Sequence, residues 1–148
     1  GGNGGGRNFN IRQMLLGREQ TNVIVPDEEW TVIEPKLWRV VTLQAIAGPT
    51  APNYAATTVR RMLANNAAQV GLDADVQVLV NDVVQREGEL MTAIYDPNPS
   101  DTQIEIKLRD YRISRDKVRA ALKIAEADLQ RVLTLRQEAV LIDDGFME

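Results

Sequence analysis

Positions spaced alternately four and three residues apart, Ile104, Leu108, Tyr111, Arg115, Val118, Leu122, Ala125, Leu129, Val132, Arg136 and Ala139, run through the last third of the chain. All but two are apolar or aromatic, the exceptions being the arginines. That period is the seam of an amphipathic helix made to lie along another helix. Upstream, Val76, Val80, Val83, Glu87, Leu90 and Ile94 repeat it within residues 74–95, with Asp73 as a cap. Between the two seams, Asp96-Pro97-Asn98-Pro99 cannot continue a helix, and Ser100 followed by Gln103 has the form of a capping box. So short a connection predicts a long antiparallel helical hairpin, 74–95 against 101–140. The alternation from Ile104 to Arg109 would also suit a strand, but the capping box and the continuing four-three period favour helix. At ~1.5 Å per residue the second arm would be roughly 60 Å long, whereas a compact chain of this size has a radius of gyration of about 15 Å. The predicted rod overhangs its own domain.

Earlier in the chain the pattern is less regular. Gly1-Gly2-Asn3-Gly4-Gly5-Gly6 reads as a tether, because glycine loses the most backbone entropy on ordering and has nothing to bury. No initiator Met precedes it. Phe9-Asn10-Ile11-Arg12 and Val23-Ile24-Val25 are short β-leaning runs about Gly17, suited to a hairpin or an extended arm ending at Pro26. The acidic turn Asp27-Glu28-Glu29 starts a helical segment, and Pro35 is expected to begin another, Lys36 to Ala47, stopped by Gly48-Pro49. A further helix fits Pro52 to Val70, with Gly71 in the left-handed position beyond its end and Leu72 as the accompanying contact. The expected class is mainly α: a tail and extended arm over 1–26, then a helical domain over 27–148 that carries the hairpin.

Composition narrows the chemistry. The chain has 148 residues, 44 % of them hydrophobic, enough for one ordinary core. A net charge of −4 argues against a general nucleic-acid binder. Cysteine and histidine are both absent, which removes disulfides, thiolate nucleophiles, the commonest general base and the soft metal ligands. A serine triad of the usual kind is therefore excluded, and no enzyme activity is expected. No apolar run approaches the ~20 residues needed to cross a bilayer, and no charged leader with an apolar h-region opens the chain.

Arg109, Arg112, Arg115, Arg119 and Lys123 fall within about a third of a helix circumference beside the seam, a basic stripe in an acidic chain. It suits a solvated face whose aliphatic stems cover the seam edge, an acidic neighbour, or nucleic-acid phosphates. Arg115 and Arg136 within the seam are of the kind that fixes register or oligomeric state. Asp96, Asn98 and Ser100 imitate the start of an EF-hand loop, but Asp101 stands where glycine is required and Lys107 where a bidentate Glu is required. No metal site is expected there. Asp143 and Asp144, with Glu148, read as an acidic solvated end. Trp30 and Trp38 are core residues or interface anchors, and Phe146-Met147 after Gly145 resembles a short docking tip.

No cofactor, catalytic residue or metal ligand is expected. The build predicts a structural subunit of a large homo-oligomeric assembly, a ring or lattice. A virion component of a phage, such as a head–tail connector or coat-like protein, is the concrete expectation, in the virion or cytoplasm. The oligomer interface would use Ile104, Leu108, Tyr111, Arg115, Val118, Leu122, Leu129 and Val132, with Trp30, Trp38 and Phe146 as possible anchors. The alternatives are a coiled-coil adaptor for one protein partner and a nucleic-acid-associated protein working through Arg109 to Lys123.

Overall fold

The computed structural model describes residues 11–65 and 70–148. Six helices occur among them: α1 (Ile11–Asn22), α2 (Asp27–Gln44), α3 (Tyr54–Ala64), α4 (Ala74–Ile94), α5 (Asp101–Gln130) and α6 (Leu135–Asp143). No strand is present among the described residues, so the mainly α class holds. The glycine tail lies outside the described residues.

The centre is α2. Leu37, Trp38, Val40, Val41 and Leu43 are at most 1 % exposed, because α1, α3, α4 and α5 all pack around this one helix. Pro35, expected to begin a helix, instead lies inside α2. An interior proline costs ~3 kcal/mol by removing a backbone bond and crowding the preceding turn. Burial of Ile33, Leu37 and Trp38 along one continuous helix outweighs that cost, at about 1.5–3 kcal/mol for each large side chain.

The extended arm is also corrected for its described part. Ile11 to Asn22 is helical, and Leu15 and Leu16 enter the same core as the other helices. The β-leaning residues Val23 to Val25 form its stop. Val25 N–H donates to Gln20 O at 3.0 Å and Ile24 N–H to Thr21 O at 3.2 Å, a Schellman pattern with Ile24 at φ 55° in the place usually held by glycine. Val23 and Val25 are buried on either side, and their burial holds the strained residue between them. From α1, Arg12 forms a forked ion pair with Glu34 of α2 and lies over the Trp38 ring, 5.7 Å from its centroid.

α3 starts two residues later than expected and stops at Ala64, and Gly71 does take a left-handed φ of 71°. Asn53 caps α3 by accepting from Ala56 N–H at 2.8 Å. The same side chain donates to Gln44 Oε1 and to Gly145 O, each at 2.9 Å, while Gln44 donates to Phe146 O at 3.1 Å. This satisfied polar cluster fastens the C-terminal residues to the ends of α2 and α3. Phe146 and Met147, 4 % and 8 % exposed, are therefore part of the chain's own core and not a projecting tip.

α5 is 30 residues long, not forty. A complete capping box, in which the Thr134 hydroxyl accepts from Gln137 N–H and the Gln137 amide oxygen from Thr134 N–H, starts a separate helix there. The rod is accordingly roughly 45 Å long. Beyond the break the seam period no longer describes the interior: Arg136 and Ala139 are exposed, whereas Gln137 and Leu141 are buried.

Candidate assembly surface

α4 and α5 pack against each other in opposite senses. Asp82 accepts from the Ser114 hydroxyl, and Glu89 lies 3.7 Å from Lys107, so residue numbers rise along one helix as they fall along the other. Arg86 bridges Asp82 at 3.4 Å and Glu89 at 3.3 Å, completing a polar zip along the α4 side of α5. The Glu89 carboxyl is held below the usual range by the Gln85 amide first, then by Lys107 and Arg86.

Burial along this pair falls off from base to tip. At the base α2 covers the seam, and Val76, Val80, Val83, Val118, Ala125 and Leu129 are at most 5 % exposed. Toward the tip Leu90, Ile104 and Leu108 are half-buried, while Ile94 and Met91 are 45 and 49 % exposed. A helix 30 residues long outruns α2, 18 residues, and the apolar spacing of the sequence continues along the whole of it. Seam positions that are core at the base become partly exposed apolar surface toward the tip.

The expected interface residues therefore divide. Val118 and Leu129 have no exposed surface to offer a second subunit, and Leu122 and Val132 are half-buried against the chain's own core. Tyr111 packs against the same core and carries Arg115 over its ring, whereas Ile104 and Leu108, nearer the tip, are half-buried outside that core. Of the expected anchors, Trp38 is core, donating from Nε1 to Gly71 O at 3.1 Å, and Phe146 is core as described. Trp30 is half-buried beside a shallow cleft with Gln13, Gly17 and Glu34.

The basic stripe is not one uniform surface. Arg119 donates from Nε to Ala47 O at 3.0 Å and lies 3.7 Å from Asp116, which ties α5 to the end of α2. Arg115 stacks on Tyr111, 5.4 Å from the ring centroid, and its Nε is buried with no hydrogen-bond partner among the described residues. Arg109 and Arg112 are exposed without an ion pair among the described residues. Lys123 borders a groove of about 630 Å³ with Arg119, Glu126, Glu148 and Met147. In that groove burial first, and Glu148 second, push the Glu126 carboxyl above its ordinary range. The groove carries both signs of charge and no cluster of three metal-ligating acids occurs among the described residues. The false EF-hand segment is a turn, in which Asn98 N–H donates to Asp96 Oδ1 at 2.9 Å before Ser100 caps α5.

One pair of groups escaped the sequence reading. Glu19, only 7 % exposed, lies within hydrogen-bond reach of Asp144, and its Oε2 has no donor. Burial first, and Asp144 next, push its carboxyl up to about 7. Asp144 had seemed part of an acidic, solvated end; the return of the chain after the Thr134 cap brings it against α1. No helix among the described residues is long and apolar enough to cross a membrane. No family model, no curated protein and no solved structure matches this chain.

Proposed function

We propose that this chain is a non-enzymatic structural subunit of a large homo-oligomeric assembly, and most concretely a virion component of the head–tail connector or coat-like kind. The observation that supports the reading is the upper part of α4 and α5, where Leu90, Ile94, Ile104 and Leu108 continue the core seam but stay half-buried or exposed among the described residues. Packing of that face against a neighbour in a ring or lattice would complete the helical layer that α2 completes at the base. The absence of both histidine and cysteine favours a role in binding over one in catalysis.

The experiment is the mass distribution of the purified chain, by mass photometry and light scattering over a wide concentration range, with and without residues 1–10. Multiples of the subunit mass that collapse to monomer in Met91→Asp and Ile94→Asp, with helical content unchanged, are the expected result. A full-length chain that stays monomeric at high concentration, and is indifferent to loss of the tail, overturns the reading. An adaptor would show a small fixed mass and take up one foreign protein. A nucleic-acid binder would show steep salt dependence that disappears with Arg109→Glu and Arg112→Glu.

A further inference from the structure

The upper face carries charge as well as apolar surface, and the charge selects an arrangement. Its α4 edge presents Glu87, exposed and at a seam position; its α5 edge presents Arg112 and Arg115. None of the three has an ion-pair partner among the described residues, and the Arg115 Nε is buried with no acceptor.

We propose that this face pairs with the same face of a second copy, the two tips pointing the same way, each α4 lying over the partner's α5 so that Glu87 of one copy meets the partner's Arg112 and Arg115. The inference rests on the self-assembly reading and adds the partner's orientation to it. Two face-to-face arrangements keep the pairing symmetric. With the tips opposed, α4 lies over α4 and α5 over α5, which sets the acidic edge against its own copy and the basic edge likewise. With a twofold axis running along the helical pair, each acidic edge meets a basic one, and the contact occurs twice. The heights agree. Because Asp82 stands level with Ser114 and Glu89 with Lys107, Glu87 stands level with Arg109, and Arg112 lies three residues or ~4.5 Å further along the same helix. Arg115 lies six residues or ~9 Å along, and its guanidinium returns toward the level of Glu87 over the Tyr111 ring, so arginine and glutamate side chains span both offsets. The half-buried Ile104, Leu108 and Leu90 would then close against their counterparts in a dry centre, with the charged pairs at its rim.

The test is a charge exchange read by analytical ultracentrifugation of the full chain. Glu87→Arg alone and the double change Arg112→Glu with Arg115→Glu are each expected to weaken self-association at least about tenfold, since the contact occurs twice and attraction becomes repulsion. The chain carrying all three changes restores association to near the original strength. An equimolar mixture of the two partly changed chains restores it as well, because in the mixed pair both contacts again set acid against base, one in the original sense and one reversed. Far-ultraviolet circular dichroism of each variant matches that of the unchanged chain. If the unchanged chain associates and the exchanges leave it unaffected, or the triple change fails to restore it, the proposed orientation is wrong while self-assembly stands. If the unchanged chain is monomeric throughout, both fall.

Discussion

Replacing Glu19 by Gln should stabilise the protein at neutral and alkaline pH and remove most of its pH dependence between mildly acidic and mildly alkaline solution. The carboxyl is 7 % exposed, its Oε2 has no donor, and it abuts the Asp144 carboxyl, so two acceptors meet with only a proton able to satisfy both. Burial, followed by the hydrogen bond and charge of Asp144, raises the folded value from 4.5 to about 7, opposed in part by Asn22 and Arg18. A raised acid binds its proton more tightly in the folded than in the unfolded chain. The stability this provides is complete below the unfolded value, declines as the unfolded carboxyl ionises, and is gone once pH has risen through the folded one. At 1.36 kcal/mol per pH unit the shift sets a ceiling of about 3 kcal/mol. Water reaching the pair through the cleft bordered by Met14, Arg18 and Tyr54 reduces this to about 2 kcal/mol. Urea denaturation followed by tryptophan fluorescence at about pH 5 and about pH 8 measures the difference. The unchanged chain should lose about 2 kcal/mol over that interval, Glu19→Gln should lose far less, and Asp144→Asn should lie between them. Equal stability of the unchanged chain at both values, or an undiminished slope in Glu19→Gln, would refute the assignment of the shift to this pair.

Two backbone predictions follow from left-handed residues. A Cβ at Gly145, whose φ is 82°, would come within 2.6 Å of Pro52 O, so Gly145→Ala should cost about 2–4 kcal/mol and be seen as a lower thermal midpoint and faster exchange of the Phe146 amide. A loss below about 0.5 kcal/mol would show that the end of α6 moves away freely. Ile24→Gly relieves a β-branched residue at φ 55° that is 66 % exposed, and should stabilise the chain by about 0.5–1 kcal/mol in urea titration despite the added freedom of the unfolded chain.

The helical class, the span of α4 and the start of α5 were legible because their signals are local. Four-three spacing, a proline-interrupted connection and the Ser100 cap all operate within a few residues, and Gly71 took the left-handed conformation expected of it. The Thr134–Gln137 box that ends α5 was equally local, yet the continuing seam period through Arg136 and Ala139 concealed it. The β-leaning run at Val23 to Val25 misled for a different reason. Its valines are apolar because they are buried beside α2, and burial, not strand pairing, is what their composition records.

What no local pattern contains is the distance at which one element's cover ends. The seam of α5 reads the same at Leu108 as at Val118, but only Val118 lies in the packed core while Leu108 is half-buried, a difference made by the helices that gather around one and not the other. Likewise Glu19 and Asp144 are 125 positions apart in the sequence, and nothing near either foretells their meeting. Periodicity along a helix is set by its own 3.6-residue turn and can be read from the chain, whereas burial and carboxyl proximity depend on where other helices end and return, which only packing in three dimensions establishes.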